Sequence, residues 1–247
     1  MDDVAIIILA AGKGSRMKSN LAKVLHPVAG KSMVAHVVGC ASSVTPDHVH
    51  VVVGHQADRV KAEILKYCPV HFALQEELLG TGDAVKAALP GLGPAVKTVL
   101  VLCGDVPLIR KETIEKLIAA HGKADARLSV LAVTVSDPKG YGRIVFDSQG
   151  SLSAIREEAD ASALEKKITL VNSGIYCFDR DFLEAGINLI RNDNKQSEYY
   201  LTDLVEIAVS KDVKTFVHSG VEPGEVMGVN TLEQLAQAEV LIRETSV

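Results

Sequence analysis

From Val4 to Met17 the chain reads VAIIILAAGKGSRM. The run Val4–Leu9 is apolar and rich in β-branched residues, without the polar alternation of a half-exposed strand. It predicts a strand buried on both faces, as in a parallel sheet covered by helices. The run breaks at Gly12 and Gly14, which flank Lys13 and precede Arg16. Glycines there let backbone N–H groups approach an anion with no Cβ in the way. In open parallel sheets, ligands bind beyond the carboxyl ends of the strands. The stretch therefore predicts both an α/β architecture and its ligand-binding edge. It lacks GxxxxGK[ST], so it is no Walker A loop. It also lacks a third glycine at Met17, and the second strand ends at Gly54-His55 without an acidic residue, which argues against a dinucleotide site.

Working outward, strands and helices alternate. Helices are predicted at Ser32–Ser43, Ala57–Tyr67, Thr81–Leu89 and Lys111–His121, and strands at His48–Val53, Val70–Leu74 and Val96–Leu102. This order implies a Rossmann-like, doubly wound, mostly parallel sheet. Later segments fit a small mixed-sheet lobe: strands at Leu128–Val135, Gly142–Phe146, Ser151–Ile155 and Val171–Phe178. Helices follow at Asp179–Ile190 and Leu201–Val209, then short strands at Val213–Val217 and Glu225–Val229, and a closing helix at Thr231–Arg243.

Composition narrows the function. The chain has 247 residues, 47% hydrophobic and 23% charged, so it can bury a core and is not intrinsically disordered. A net charge of -5, 4% aromatics and no Trp disfavour nucleic acid or an anionic membrane as partner. The longest apolar run near the start, Val4–Ala11, is far below the roughly 20 residues of a membrane span. It follows two aspartates rather than a basic leader, and a cytoplasmic protein is expected. Cys40, Cys68, Cys103 and Cys177 show no CxxC spacing and read as reduced packing residues. His48 and His50 alternate on one strand face with no third ligand in evidence from spacing.

The overall charge hides a local one. Val4 to Pro46 contains no Asp or Glu but holds Lys13, Arg16, Lys18, Lys23 and Lys31, a +5 segment against -10 for the remainder. A cationic loop in an acidic protein suggests a small anionic ligand. Downstream, Gln75 and Gly80-Thr81 follow the third strand, and Val99–Cys103 runs into Gly104-Asp105. A carboxylate at that strand end is well placed to hold a cation over phosphates. Mg²⁺ prefers oxygen ligands and is usually held by one or two side chains plus substrate.

LAAGKGSRM (residues 9–17) followed by Lys23 in LAKVLHPVAGK (residues 21–31) resembles the signature of sugar-nucleotide pyrophosphorylases, which join a nucleoside triphosphate to a sugar 1-phosphate. The resemblance covers nearly the whole chain and favours the branch acting on N-acetylglucosamine 1-phosphate. It implies the nucleotide-diphospho-sugar transferase fold, with a transferase unit over residues 1–230 and a helix and tail over 231–247. It implies that Leu9, Ala10, Ala11, Gly12, Gly14, Gln75, Gly80 and Thr81 bind UTP, with Arg16 and Lys23 catalytic on the phosphates. It further implies that Gly104, Gly142, Glu157 and Asn172 bind the sugar and that Asp105 and Asn230 hold Mg²⁺. Glu198–Asp203 matches a helix-start segment of the same enzymes. Two positions depart from the family pattern: Leu78 stands where a second Gln often occurs, and Cys103 where Tyr is common.

The expected reaction is UTP plus N-acetylglucosamine 1-phosphate giving UDP-N-acetylglucosamine, a cell-wall precursor, and pyrophosphate. The family often continues into an acetylating β-helix that drives trimer formation. No hexapeptide repeat is present here, so neither that activity nor a trimer built that way is expected. The alternatives are a pyrophosphorylase for another sugar or base, and an inactive nucleotide-sugar-binding module.

Overall fold

The computed structural model describes residues 2–245. Its centre is a nine-stranded sheet. In chain order the strands are β1 (Val4–Ala10), β2 (Val49–Val53), β3 (His71–Leu74), β4 (Thr98–Cys103), β5 (Leu128–Thr134), β6 (Arg143–Phe146), β7 (Leu152–Arg156), β8 (Leu170–Asp179) and β9 (Thr215–His218). The main order is β9-β5-β8-β4-β1-β2-β3, and the β6–β7 hairpin hangs from β8. β4, β1, β2 and β3 are mutually parallel, as is the β5–β9 pair, while β8 runs antiparallel between β4 and β5. The expected mixed lobe is thus continuous with the parallel sheet rather than set apart from it.

β1 shows why the sheet is doubly covered. Ile6, Ile8 and Ala10 enter one apolar cluster, and Ala5 and Ile7 enter another on the opposite face. The first face is covered by α1 (Met33–Val44), α2 (Ala57–Ile64) and α4 (Lys111–Lys123), through Val38, Ile64 and Leu117 among others. The second is covered by α3 (Thr81–Ala88), α5 (Arg180–Ile187) and α6 (Asp203–Ser210), through Val85, Leu183 and Leu204. Each fully buried isoleucine of β1 contributes about 1.5–3 kcal/mol of transfer free energy, so the strand anchors both layers. The last helix, α7 (Leu232–Thr245), packs Ala238 against Val28, Met33 and Val229. Ser246 and Val247, the expected tail, lie outside the described residues.

Some expected elements change. Glu225–Val229 is not a strand: Pro223–Val226 forms a 3-10 turn. Pro223 has no N–H for a ladder. Glu225 is buried, and its carboxylate accepts from the Arg110 backbone N–H at 3.2 Å. α5 begins one residue later than expected because Asp179 caps it, accepting from the Phe182 N–H at 3.0 Å. α6 begins at Asp203, two residues later than expected; the Leu201 N–H donates to Thr81 Oγ1 at 3.0 Å and ties the preceding turn to α3. A small antiparallel ribbon pairs Pro27–Val28 with Lys31–Ser32. Its turn residues Ala29 and Gly30 both have positive φ, a pattern the sequence reading did not register.

Candidate active site

Two clefts open along the carboxyl ends of β1 and β4. The first, of about 520 Å³, is lined by the β1 loop, Lys23, Gln75, Leu78, Gly80, Thr81, Asp105 and Glu198. The second, of about 320 Å³, is lined by Arg16, Gly142, Glu157, Asn172, Tyr176, Thr202, Asn230 and their neighbours. Leu9, Thr81, Cys103 and Asp105 line both, so the clefts meet at one carboxylate.

The β1 loop divides its glycines by task. At Gly14, φ is +67°, and a Cβ would sit 2.3 Å from Cβ of Lys23. That absent methyl lets Lys23 cross beneath the loop. Over Gly12 nothing lies within 4 Å of the place a Cβ would take, so that backbone is open to a ligand. Lys13 and Lys23 line the first cleft and Arg16 the second. Three of the five cations of the N-terminal segment thus reach the clefts, whereas Lys31 sits over the Tyr67 ring, 5.7 Å from its centroid.

On the opposite wall of the first cleft, Gln75 is only 5% exposed. Its Nε2 donates to Gly80 O at 3.0 Å and to Asp83 Oδ2 at 2.8 Å. Both amide hydrogens are spent on the protein, which fixes the carboxamide and leaves Oε1 as its acceptor. Gly80, with φ +116°, is pressed by the Glu198–Tyr199 backbone: a Cβ there would meet Tyr199 O at 2.6 Å. Tyr199 N–H donates to Leu79 O at 2.7 Å and Gly82 N–H to Tyr199 O at 2.8 Å. The Glu198–Asp203 segment therefore clamps the Gly80–Gly82 turn. Leu78, at the position noted as a departure, fills space beside Gly54 and belongs to the cleft wall.

At the junction, Lys23 pairs with Asp105, and its Nζ donates to Asn230 Oδ1 at 3.1 Å. Arg16 donates to the same Asn230 oxygen at 2.8 Å. Val229 N–H donates to Asp105 O at 2.9 Å, which brings the Gly228–Asn230 turn onto the end of β4. Asp105 and Asn230 thus present a carboxylate and an amide oxygen to one region held by two cations. This pair of hard oxygen donors fits Mg²⁺. Among the described residues no group of three or more His, Cys, Asp or Glu is poised for a metal, so the remaining ligands would be water and phosphate oxygens.

The second cleft is built differently. Gly142 packs against Glu157, whose two carboxylate oxygens lie 3.5 Å from the place a Cβ on Gly142 would take. Burial raises the Glu157 pKa, and Asp160 and Glu198 add to it; the Thr202 hydroxyl, donating to Oε1 at 3.1 Å, opposes the shift. The preceding loop is held by Arg143, 1% exposed, which pairs with Glu158 at 2.6 Å and donates to the Tyr141 carbonyl. Glu158 also accepts the Gly140 N–H at 3.2 Å. Asn172 N–H donates to Gly142 O at 2.8 Å, joining loop to β8. The Cys103 thiol donates to Gly174 O at 3.4 Å; burial, reinforced by Asp105, pushes its pKa to about 12.

The structure brings together all but one of the sequence-predicted site residues. The exception is Gly104, which lies beneath the clefts: its N–H donates to Leu9 O at 2.9 Å, and a Cβ would meet that oxygen at 3.1 Å. It packs closely against β1 and is not among the residues that line either cleft. The sequence reading missed Tyr176, which it held only as part of a strand, and Gln234, whose Oε1 accepts from Asn230 N–H at 2.7 Å. Gly174 within a strand pattern was the available signal for the first, since it marks a bulge.

Two clefts meeting at one carboxylate suit the transfer of a group from one bound molecule to another, and relatives agree. The chain matches the family described as MobA-like NTP transferase domain over residues 6–170 and is a nucleotidyltransferase by family. More narrowly, it belongs to the family of the bifunctional protein GlmU. It is 48% identical over 244 residues to that protein from Geobacter metallireducens, covering 99% of this chain and 51% of the relative. With the Desulfotalea psychrophila protein, identity is 42% over 240 residues, covering 97% of this chain and 70% of the relative. The chain spans about half the length of most of the curated relatives it matches. In structure it is similar to a Bacillus anthracis protein, provisionally described as a glucose-1-phosphate thymidylyltransferase, solved with sucrose. The TM-score is 0.74 at 19% identity, covering 98% of this chain and 96% of that one, which establishes the shared fold. Among the described residues no helix is long and apolar enough to cross a membrane.

Proposed function

We propose that the chain transfers the uridylyl group of UTP to N-acetylglucosamine 1-phosphate, releasing pyrophosphate, in the cytoplasm and with Mg²⁺. The observation that carries the reading is the meeting of a cation-lined cleft and a hydroxyl- and amide-lined cleft at Asp105. In the reaction, an oxygen of the sugar phosphate attacks the α-phosphorus of UTP. The bond between α-phosphorus and the bridging oxygen breaks, and pyrophosphate leaves with that electron pair. The attacking oxygen is already ionised, so no general base is needed. The barrier lies in bringing two anions into line and spreading the developing charge.

Gly12 and its loop neighbours would present backbone N–H groups to the triphosphate, with the Lys13 side chain beside them. Gln75 Oε1 would accept from the imide N–H of uracil. Lys23 would leave Asp105 for the phosphates, and Arg16 would leave Asn230 for the sugar phosphate. Asp105 and Asn230 are the residues that would hold Mg²⁺. The ion, when bound, supplies Lewis-acid stabilisation of phosphoryl charge. Glu157, Gly142 and Asn172 would hold the sugar. The test is pyrophosphate release across a panel of nucleoside triphosphates and sugar 1-phosphates, with and without Mg²⁺. The expected result is Mg²⁺-dependent release, fastest with UTP and N-acetylglucosamine 1-phosphate. A faster pair, or none, would overturn the reading.

A further inference from the structure

β8 contains an irregularity that rearranges its side chains. Asn172 faces Ala132 and Ile175 faces Leu131 on β5, so Ser173 and Gly174 are extra residues. In a regular strand, Asn172 and Tyr176 would stand about 13 Å apart along one face. The bulge sets them opposite Ala132 and Val130, two partner positions rather than four, or about 7 Å. The shortened span lets Asn172 Nδ2 donate to Tyr176 Oη, while Asn172 Oδ1 accepts the Gly174 N–H at 3.0 Å. Cys103 secures the bulge through Gly174 O, and Gly174 has φ +80°. Tyr176 is 3% exposed and lines the second cleft.

The hydrogen-bond capacity of this group is unbalanced. The phenol accepts from Asn172, and its own proton has no acceptor among the described residues. Asn172 Nδ2 keeps a second N–H as well. Burial and the nearby Glu157 carboxyl raise the phenol's pKa well above its ordinary value, so it stays a donor. Two donors side by side suit an acceptor with two lone pairs and no hydrogen of its own, and on an uncharged sugar substituent a carbonyl oxygen is such a group. A sugar hydroxyl would also need an acceptor, and Glu157 lines the same cleft to serve that group.

We infer that Tyr176 determines acceptor specificity by donating a hydrogen bond to the acyl-amide oxygen of the sugar, beside Asn172. This inference rests on the proposed transfer to an N-acetylated sugar. Its test is calorimetric binding of UDP-N-acetylglucosamine, UDP-glucose and UTP to the whole chain and to Tyr176→Phe, which keeps the ring and removes only the donor. The expected result is UDP-N-acetylglucosamine binding weaker by roughly tenfold, with UDP-glucose and UTP unchanged. Unchanged UDP-N-acetylglucosamine binding, or an equal loss for both sugar nucleotides or for UTP, would overturn it. If the unsubstituted chain binds UDP-N-acetylglucosamine no better than UDP-glucose, the functional reading itself fails, whatever the variant does.

Discussion

The two clefts differ in how their walls are gathered. The first cleft takes much of its wall from one stretch, residues 9–24, adds the short segment Gln75–Ala84, and is completed by Glu198 and by Cys103 and Asp105, which it shares with the second. The second cleft draws on short stretches spread from Leu9 to Gln234, none longer than the four residues 139–142. Charge explains the contrast. A polyphosphate is recognised by any close set of N–H groups and cations, and one glycine loop at a strand end supplies them. A neutral sugar offers only directional hydrogen bonds, so its site needs donors and acceptors placed from several elements. The first cleft consequently rests on an exposed loop with one buried amide, Gln75, facing it, whereas the second is held by the buried Arg143 and Asn172 and the half-buried Glu157.

If this contrast is correct, substitutions should sort by cleft, with the largest effects at the junction. Asp105→Ala removes the carboxylate shared by both clefts. It should lower kcat by on the order of 10³-fold or more and abolish the Mg²⁺ dependence of what remains, with the circular dichroism spectrum unchanged. Retained Mg²⁺ dependence would end the ligand assignment. Lys23→Ala should cost roughly 10²–10³ in kcat, the scale of one charge-stabilising contact in a transition state. Near-normal single-turnover rates would remove Lys23 from the mechanism.

Two smaller effects separate the halves. Gln75→Ala should reduce the preference for UTP over CTP by about tenfold and leave the KM for the sugar phosphate alone, as read from competition kinetics. A shift in the sugar KM instead would break the division between clefts. Glu158→Gln weakens the clamp on the Gly140–Gly142 loop without touching the cleft floor. It should raise the sugar-phosphate KM by roughly threefold to tenfold at constant UTP KM. Equal changes in both constants would mean that the loop serves both substrates.

How far each cleft was legible in sequence follows the same division. β1 and its glycine loop could be read directly, because an unbroken apolar run and two glycines state their own conformation. The doubly wound alternation was likewise visible through α4. Reading weakened where neighbours far along the chain decide the local state. Glu225–Val229 reads as a strand because its pattern says nothing of Arg110, 115 residues from Glu225, whose N–H donates to the Glu225 carboxylate. Gly104 reads as a ligand contact, and nothing local in the sequence announces the Leu9 O that presses on it.

The sequence by itself determined that this is an α/β protein with a cationic phosphate loop at the end of its first strand. It also placed the resemblance motifs in order along the chain. Only the tertiary structure decided that Lys23 and Arg16 converge on Asn230, that Asp105 belongs to both clefts, and that the β8 bulge brings Tyr176 to Asn172 in the second cleft. The reason is physical. Propensity and periodicity act over a few residues, whereas the meeting of positions 23, 105 and 230 depends on strand order and register. Those are set by the whole balance of burial and hydrogen bonding, not by any one segment.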